Sequence, residues 1–284
     1  FIVLDDCLHA VLGMPGIPLG HITQIYGPSD TGKTSLMFHS AAQAQKQGIL
    51  PVLIITERKV SWERAEKMGF DKDNAIIIET DEYLEDVFST VDRISADANN
   101  GNLPTDVCIF VDSIGNTLSR DEVIVNKDGT IEKKATMMKA AKVISESMRV
   151  ASKKINDTTK VTHPNYVGLV VINQCYTKPA SFPGGMSTLV PYGGKAIWYS
   201  CSLVLNTKKR QKLTSKKDGQ PYNFGIVSKI TVEKNHVTDV SHTGEFVITA
   251  DSIIPNEPTA LKAYKDEHKS SWGEIEVMEN YDES

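Results

Sequence analysis

The sequence predicts an α/β protein: a mostly parallel twisted sheet with helices on both faces, extended by antiparallel strands. Three observations predict it. Short apolar, β-branched runs alternate with helical patterns up to about residue 195. One strand–helix junction holds "GPSDTGKT", residues 27 to 34. Beyond residue 195 strands follow one another through turns, without helices between them.

Each element has its own warrant. "HITQIY" (21 to 26) alternates and ends on Ile25 and Tyr26, as a strand does, and "TSLMFHSAAQAQKQG" after it reads as a helix closed by Gly48. "LPVLIIT" (50 to 56), "AIIIET" (75 to 80), "VCIFVDS" (107 to 113) and "YVGLVVINQ" (166 to 174) read as buried strands. "WERAEKMG" (62 to 69), "YLEDVFSTVDRISADANNG" (83 to 101) and "ATMMKAAKVISESMRVASKKI" (135 to 155) read as the helices between them. "AIWYSCSLVLNT" (196 to 207), "FGIVSKITVEKN" (224 to 235) and "GEFVITA" (244 to 250) are expected to be antiparallel strands, with a hairpin turn in "KKDGQPY". "PTALKAYKDEHKS" (258 to 270) reads as a short helix. Residues 119 to 133 and 175 to 194 have no period and are expected to be long loops, functional or mobile.

Composition bounds the class. The chain has 284 residues, 40% hydrophobic and 24% charged, which is ordinary for a soluble protein. Its apolar runs, such as "GLVVI", are too short to span a bilayer, so no membrane partner is expected. No basic-then-apolar leader opens it, and Phe1 is not a start methionine, so its first residues carry little weight. Cys7, Cys108, Cys175 and Cys201 are far apart, which suits a reduced, cytoplasmic protein. The histidines lack zinc-ligand spacing. The net charge of −5 is uneven: residues 266 to 284 carry −6 and the remainder +1, so the acidity resides in a tail and does not exclude nucleic acid.

"GPSDTGKT" fits the phosphate-binding loop G-x-x-x-x-G-K-[ST], and both flanks are right for it. Gly27 and Gly32 let the backbone turn tightly and approach phosphate oxygens without a Cβ in the way. The loop N–H groups and the helix N-terminus supply partial positive charge. Gly27, Pro28, Ser29, Asp30, Thr31, Gly32, Lys33, Thr34 and Ser35 are therefore the candidate nucleotide-binding residues. Lys33 would bridge the β- and γ-phosphates and Thr34 would hold Mg²⁺, with ATP or GTP as the nucleotide. Asp112, ending a buried strand, is either a second Mg²⁺ residue or a strand-end cap. Glu57 ends the strand before it, where strand C-termini converge on a nucleotide; it either polarises a water or is a surface glutamate. Asn173 and Gln174 end a third strand; such an amide either reports the γ-phosphate or caps the strand.

The ordered set (phosphate loop, Glu57, "FVDS", "INQ", a long stretch, "YGGKAIWYSCSLVL") resembles the RecA family of recombinases over about residues 3 to 250. "PGIPLGHITQIYGPSDTGKT" and "AEKMGFDKDN" look like RecA core segments, while "VDSIGNTLS" and "KKATMMK" look closer to the phage-type, UvsX-like branch. The resemblance implies a P-loop NTPase fold of RecA type over residues 1 to 255, with a short helical segment and acidic tail over 256 to 284. It implies ATP and Mg²⁺ as cofactors, with Lys33, Thr34 and Asp112 on phosphate and metal. It makes Glu57 the catalytic glutamate and Gln174 the γ-phosphate sensor. It makes residues 119 to 134 and 175 to 194 two DNA-binding loops, the second closed by Gly193 and Gly194. Lys234 and His236 match basic positions that reach the ATP of a neighbouring protomer. Ser61 and Arg64 stand where the family has an acidic residue and an aromatic near adenine; Arg64 would stack on the base. His236 replaces the usual lysine, so that contact varies with pH. The segment that family members lend to a neighbour is not expected within this chain.

The implied partners are single-stranded DNA, a homologous duplex, further copies in a helical filament, and a mediator and single-strand-binding protein. The implied place is the cytoplasm, the host's if the gene is phage-encoded. Loop 175 to 194 mixes Tyr176, Lys178, Phe182, Met186 and Tyr192 with glycines, as single-strand binding requires. Ile131, beside Lys133 and Lys134, would wedge between bases. "NTKKRQKLTSKK" (206 to 217) is either a path for a second strand or a solvated hairpin. The acidic tail either competes with DNA or merely solvates. Two other functions share these motifs: a hexameric RecA-fold DNA helicase, and a non-catalytic recombination mediator or paralogue.

Overall fold

The computed structural model describes residues 1–270 apart from 58, 81–82, 116, 126–130, 134–136, 156–164, 180–181, 183, 186 and 218–219, and side chains other than those of 123–125, 131–133, 137–138 and 217. Lys134, Met186, the hairpin tip at 218–219 and the acidic end from 271 lie outside the described residues, as do the side chains of Ile131 and Lys133.

The chain opens with β1 (Ile2–Val3), α1 (Asp6–Leu12) and β2 (Gly16–Ile17). The core follows: β3 (Ile22–Gly27), α2 (Lys33–Lys46), β4 (Leu50–Ile55), α3 (Trp62–Lys67), β5 (Ile76–Glu79), α4 (Leu84–Asn99) and β6 (Val107–Asp112). Next come β7 (Val123–Val125), β8 (Ile131–Lys133), α5 (Met137–Ile155), β9 (Val167–Lys178), β10 (Thr188–Pro191) and α6 (Lys195–Ser200). The chain continues with β11 (Leu203–Lys217), β12 (Gln220–Asn235), β13 (Thr243–Thr249), β14 (Ile253–Pro255) and α7 (Pro258–His268).

One large sheet runs β14-β13-β12-β11-β3-β9-β6-β4-β5, with β10 added to β9. The pairings from β11 to β5 are parallel, and those from β11 outward to β14 are antiparallel. This is the expected mostly parallel sheet with an antiparallel extension. Side chains alternate across it with period two. Ile25, Leu53, Phe110, Val170 and Leu205 pack with α1, α2 and α3 on one face. Ile22, Val52, Ile54, Ile109, Val171 and Val204 pack with α4, α5 and α6 on the other. Phe110 is fully buried, so Phe110→Ala would cost about 3–5 kcal/mol. Two-sided burial explains why these strands read as unbroken apolar runs.

α1 carries its own start and stop signals. The Asp5 side chain accepts from the Leu8 N–H at 3.0 Å, and Gly13 closes the helix in the left-handed conformation.

Three expectations are corrected. Residues 175–194 are not aperiodic: β9 runs on past Gln174, and β10 pairs back on it from Thr188↔Lys178 to Pro191↔Cys175. Its two arms hold β-formers such as Tyr176, Thr177, Thr188 and Val190, while Pro179, Gly184 and Gly185 lie between them. Residues 119–133 likewise contain a pair, β7 with β8, closed by Val125↔Ile131. Residues 195–200 are helical, not strand. Ile197 is fully buried against α5, and one turn on, the buried Cys201 caps α6 through its N–H to the Ile197 carbonyl. Tertiary packing overrides the β-propensity of "IWY" there.

Candidate nucleotide site and its comparison with known proteins

The phosphate loop is built by close contact with β11 and β13. A Cβ on Gly27 would lie 2.3 Å from the Thr207 carbonyl oxygen, and one on Gly32, at φ +89, would lie 1.8 Å from Ile248. Only glycine fits either place. The Thr31 and Thr207 hydroxyls are bonded at 2.7 Å, and Ser228 donates to the Thr31 carbonyl at 2.8 Å. The Lys33 ammonium donates to the carbonyls of Gly27 at 3.1 Å and Pro28 at 2.7 Å, at the mouth of the loop. Ser35 is buried in the first turn of α2.

Register brings the other candidates to the same edge. Gly27 pairs with Gln174 between β3 and β9, and Ile55 pairs with Asp112 between β4 and β6. β9 lies between β3 and β6, so the strand crossover opens the sheet where the phosphate loop stands. Thr34 Oγ1 donates to Asp112 Oδ2 at 2.7 Å. Gln174 Nε2 donates to Glu57 Oε1 at 2.9 Å, and the Ser113 hydroxyl donates to the same oxygen. A cleft of about 360 Å³ opens beside Glu57, between the ends of β4 and β5, with Thr56, Trp62 and Glu79 in its walls.

Burial dominates the electrostatics here. It pushes the Asp112 carboxyl up to about 6, with Glu57 adding to the rise and the Thr34 and Lys33 contacts opposing it. Burial also draws Lys33 below its ordinary value, against the pull of Asp112 and Glu57. A hydroxyl and a carboxylate 2.7 Å apart, beside an ammonium and a glycine-walled loop, are a donor set that fits a magnesium–triphosphate.

From Gln174 the hairpin leaves the sheet. The Asn173 amide donates to the Tyr192 carbonyl at 2.8 Å, and the Tyr192 N–H donates to the Gln174 carbonyl at 3.1 Å, so the two amides close its base. The Tyr176 and Tyr192 rings lie 5.2 Å apart. Beneath the hairpin is a cavity of about 400 Å³ shared with Pro28, Asn206, Lys208 and Glu233.

The family model of the RecA N-terminal domain matches residues 5–254. The chain belongs to the RecA family. Proteins named RecA from Streptococcus gordonii, Streptococcus sanguinis and Streptococcus pneumoniae are each 28% identical to it over 278 residues, covering 92% of this chain and 66% of theirs.

In this RecA-family chain the candidates fall into groups. Lys33, Thr34, Asp112, Glu57 and Gln174 share one edge of the sheet, with Gly27 to Ser35 around them. Arg64 donates to the Thr249 carbonyl at 2.9 Å, next along β13 from Ile248, whose side chain walls Gly32. Lys178 and Phe182 are exposed on the hairpin, and Gly193 and Gly194, both at positive φ, turn the chain into α6. Lys234 and His236 stand apart from the phosphate loop. Lys234 donates to the Trp198 carbonyl at 2.7 Å, and the exposed His236 donates its backbone N–H to Ser202 at 2.8 Å.

Sequence reasoning missed Thr207, Ser228 and Ser113, because partners from distant strands leave no local pattern. It also missed a register shift opposite Val204 and Leu205 that makes Glu233 the extra residue of β12. Glu233 thereby accepts from Tyr26 at 2.6 Å and from Asn206 at 2.6 Å, tying the strand of Lys234 to the strand of the phosphate loop.

Proposed function

We propose that this chain is the core of an ATP-dependent recombinase. It forms a helical filament on single-stranded DNA and pairs that strand with a homologous duplex, in the cytoplasm. One observation carries the reading: β9 is continuous from Gln174, bonded to Glu57, into the arm of the hairpin. A change felt by Gln174 at the γ-phosphate moves the hairpin directly.

The residues divide the work. Lys33 and the loop N–H groups hold the phosphates. Mg²⁺, when bound, neutralises phosphate charge, and Thr34 and Asp112 are the residues to hold it. Glu57 orients the attacking water and accepts its proton, and the cleft beside it admits that water. Arg64 borders the base. Lys234 and His236 face the nucleotide of a neighbouring protomer, so turnover depends on assembly. Tyr176 and Phe182 offer faces for bases and Lys178 a charge for phosphate. The family resemblance gives Ile131, Lys133 and Lys134 the same task. Homology is read by base pairing, not by side chains on base edges. A mediator and a single-strand-binding protein are its expected companions.

Steady-state ATP hydrolysis, with and without single-stranded DNA and with a duplex control, tests this. Strong stimulation by single strands, lost in Glu57→Gln, together with persistent filaments of that variant under the electron microscope, is the expected result. Closed rings that unwind duplex would replace the reading with a helicase, and no filaments and no stimulation would replace it with a mediator. Normal hydrolysis in Glu57→Gln would remove that residue from the mechanism.

A further inference from the structure

Two donors meet on one oxygen of Glu57, and they differ in what holds them. Gln174 lies on β9 at the root of the hairpin, 2.9 Å from Glu57 Oε1. Ser113 lies one residue beyond Asp112 and is 1% exposed. Its N–H donates to Thr56 Oγ1 at 2.9 Å, and its carbonyl accepts from that hydroxyl at 2.8 Å. The same carbonyl accepts from Thr117 at 2.8 Å. Thr56 is the neighbour of Glu57, and its own N–H donates to the Asp112 carbonyl at 2.8 Å. The Ser113 hydroxyl thus hangs from a closed lattice of bonds joining the end of β4 to the end of β6, and it donates to Glu57.

We propose that Ser113 is the positioning residue of Glu57, with Thr56 as its anchor. This rests on the reading of Glu57 as the residue that directs the water. The division of labour follows from the two attachments. An amide that leaves Glu57 for the γ-phosphate deprives the carboxylate of one donor at the moment it is needed. The hydroxyl of Ser113 does not leave, because both ends of its peptide are tied to Thr56 and Thr117. Oε1 of Glu57 thereby keeps a fixed donor as Gln174 departs. A donor held in place costs no rearrangement during the reaction, and a misplaced base loses rate without losing substrate.

The test is the split between KM and kcat for ATP in the full chain with single-stranded DNA. Ser113→Ala is expected to bind ATP with unchanged affinity and to lose kcat about 10- to 100-fold, the range for one hydrogen bond to a charged group. Ser113→Thr, which keeps the hydroxyl, is expected to restore most of kcat. Thr56→Val is expected to lose kcat by less, again at constant KM, and it carries the test if Ser113→Ala does not fold. A kcat equal to wild type in either folded variant, while Glu57→Gln is inactive, overturns the role of Ser113 and leaves that of Glu57 standing. Full activity in Glu57→Gln overturns both. A rise in KM with kcat unchanged assigns Ser113 to nucleotide binding and overturns positioning.

Discussion

β9 and β11 flank the phosphate-loop strand on its two sides and begin alike. Each is parallel to β3, β9 along Leu169–Gln174 and β11 along Leu203–Asn206, and buried up to Asn173 and Leu205. Each then runs past the edge of the sheet as one arm of a hairpin, β9 with β10 and β11 with β12. They part company at the edge. β11 is fastened to the phosphate loop itself: Thr207 bonds Thr31, and its carbonyl crowds Gly27. β9 is fastened instead to Glu57, through an amide that a phosphate oxygen could claim. The outer arms differ too. That of β11 carries Lys208, Lys209, Arg210, Lys212 and Lys216, charges that also guard an exposed strand edge, whereas that of β9 carries Tyr176 and Lys178. One neighbour of the loop is bonded to the loop itself and the other to Glu57; on the proposed function the second is the one that responds.

The largest test of that contrast removes what both strands flank. Lys33→Ala should abolish ATP turnover, with or without DNA, in a steady-state assay, because its ammonium is bonded at the loop mouth, to the carbonyls of Gly27 and Pro28. Next in size is Asp112→Asn, beside β9. The native carboxyl titrates near 6 and the unfolded one near 3.8, so between these values the native state holds the extra proton. Stability therefore falls as pH rises through that window. Asp112→Asn should be more stable than wild type above pH 6, by on the order of 3 kcal/mol, and the gain should fade towards pH 4 in thermal melts without metal. The same variant should lose Mg²⁺-dependent turnover. Smallest is Thr207→Val on the fixed strand. It should cost about 1 kcal/mol of stability, read by urea unfolding, and leave the response to DNA unchanged.

The buried half of the sheet was legible because two-sided burial leaves unbroken apolar runs, as in "LPVLII" and "VCIFV". The phosphate loop was legible because glycine, lysine and threonine are each required at fixed spacing. The arms of the hairpins were not: Thr188–Pro191 and Val123–Val125 are too short to show a period beside Gly and Pro. α6 was misread because Ile197 and Trp198 favour strands locally, and only contact with α5 makes them helical. Ser113, Thr207 and Glu233 act through partners far away in sequence. A strand bulge, which places Glu233, has no signature in a single chain.

The most direct measurement is the rate of ATP hydrolysis by Gln174→Ala with and without single-stranded DNA, beside wild type and Thr207→Val. The account predicts that wild type and Thr207→Val are stimulated, and that Gln174→Ala keeps a DNA-independent rate within a few-fold of wild type but gains nothing from DNA. Stimulation of Gln174→Ala equal to that of wild type would contradict it, since β9 would then not be the strand that links the nucleotide to the hairpin.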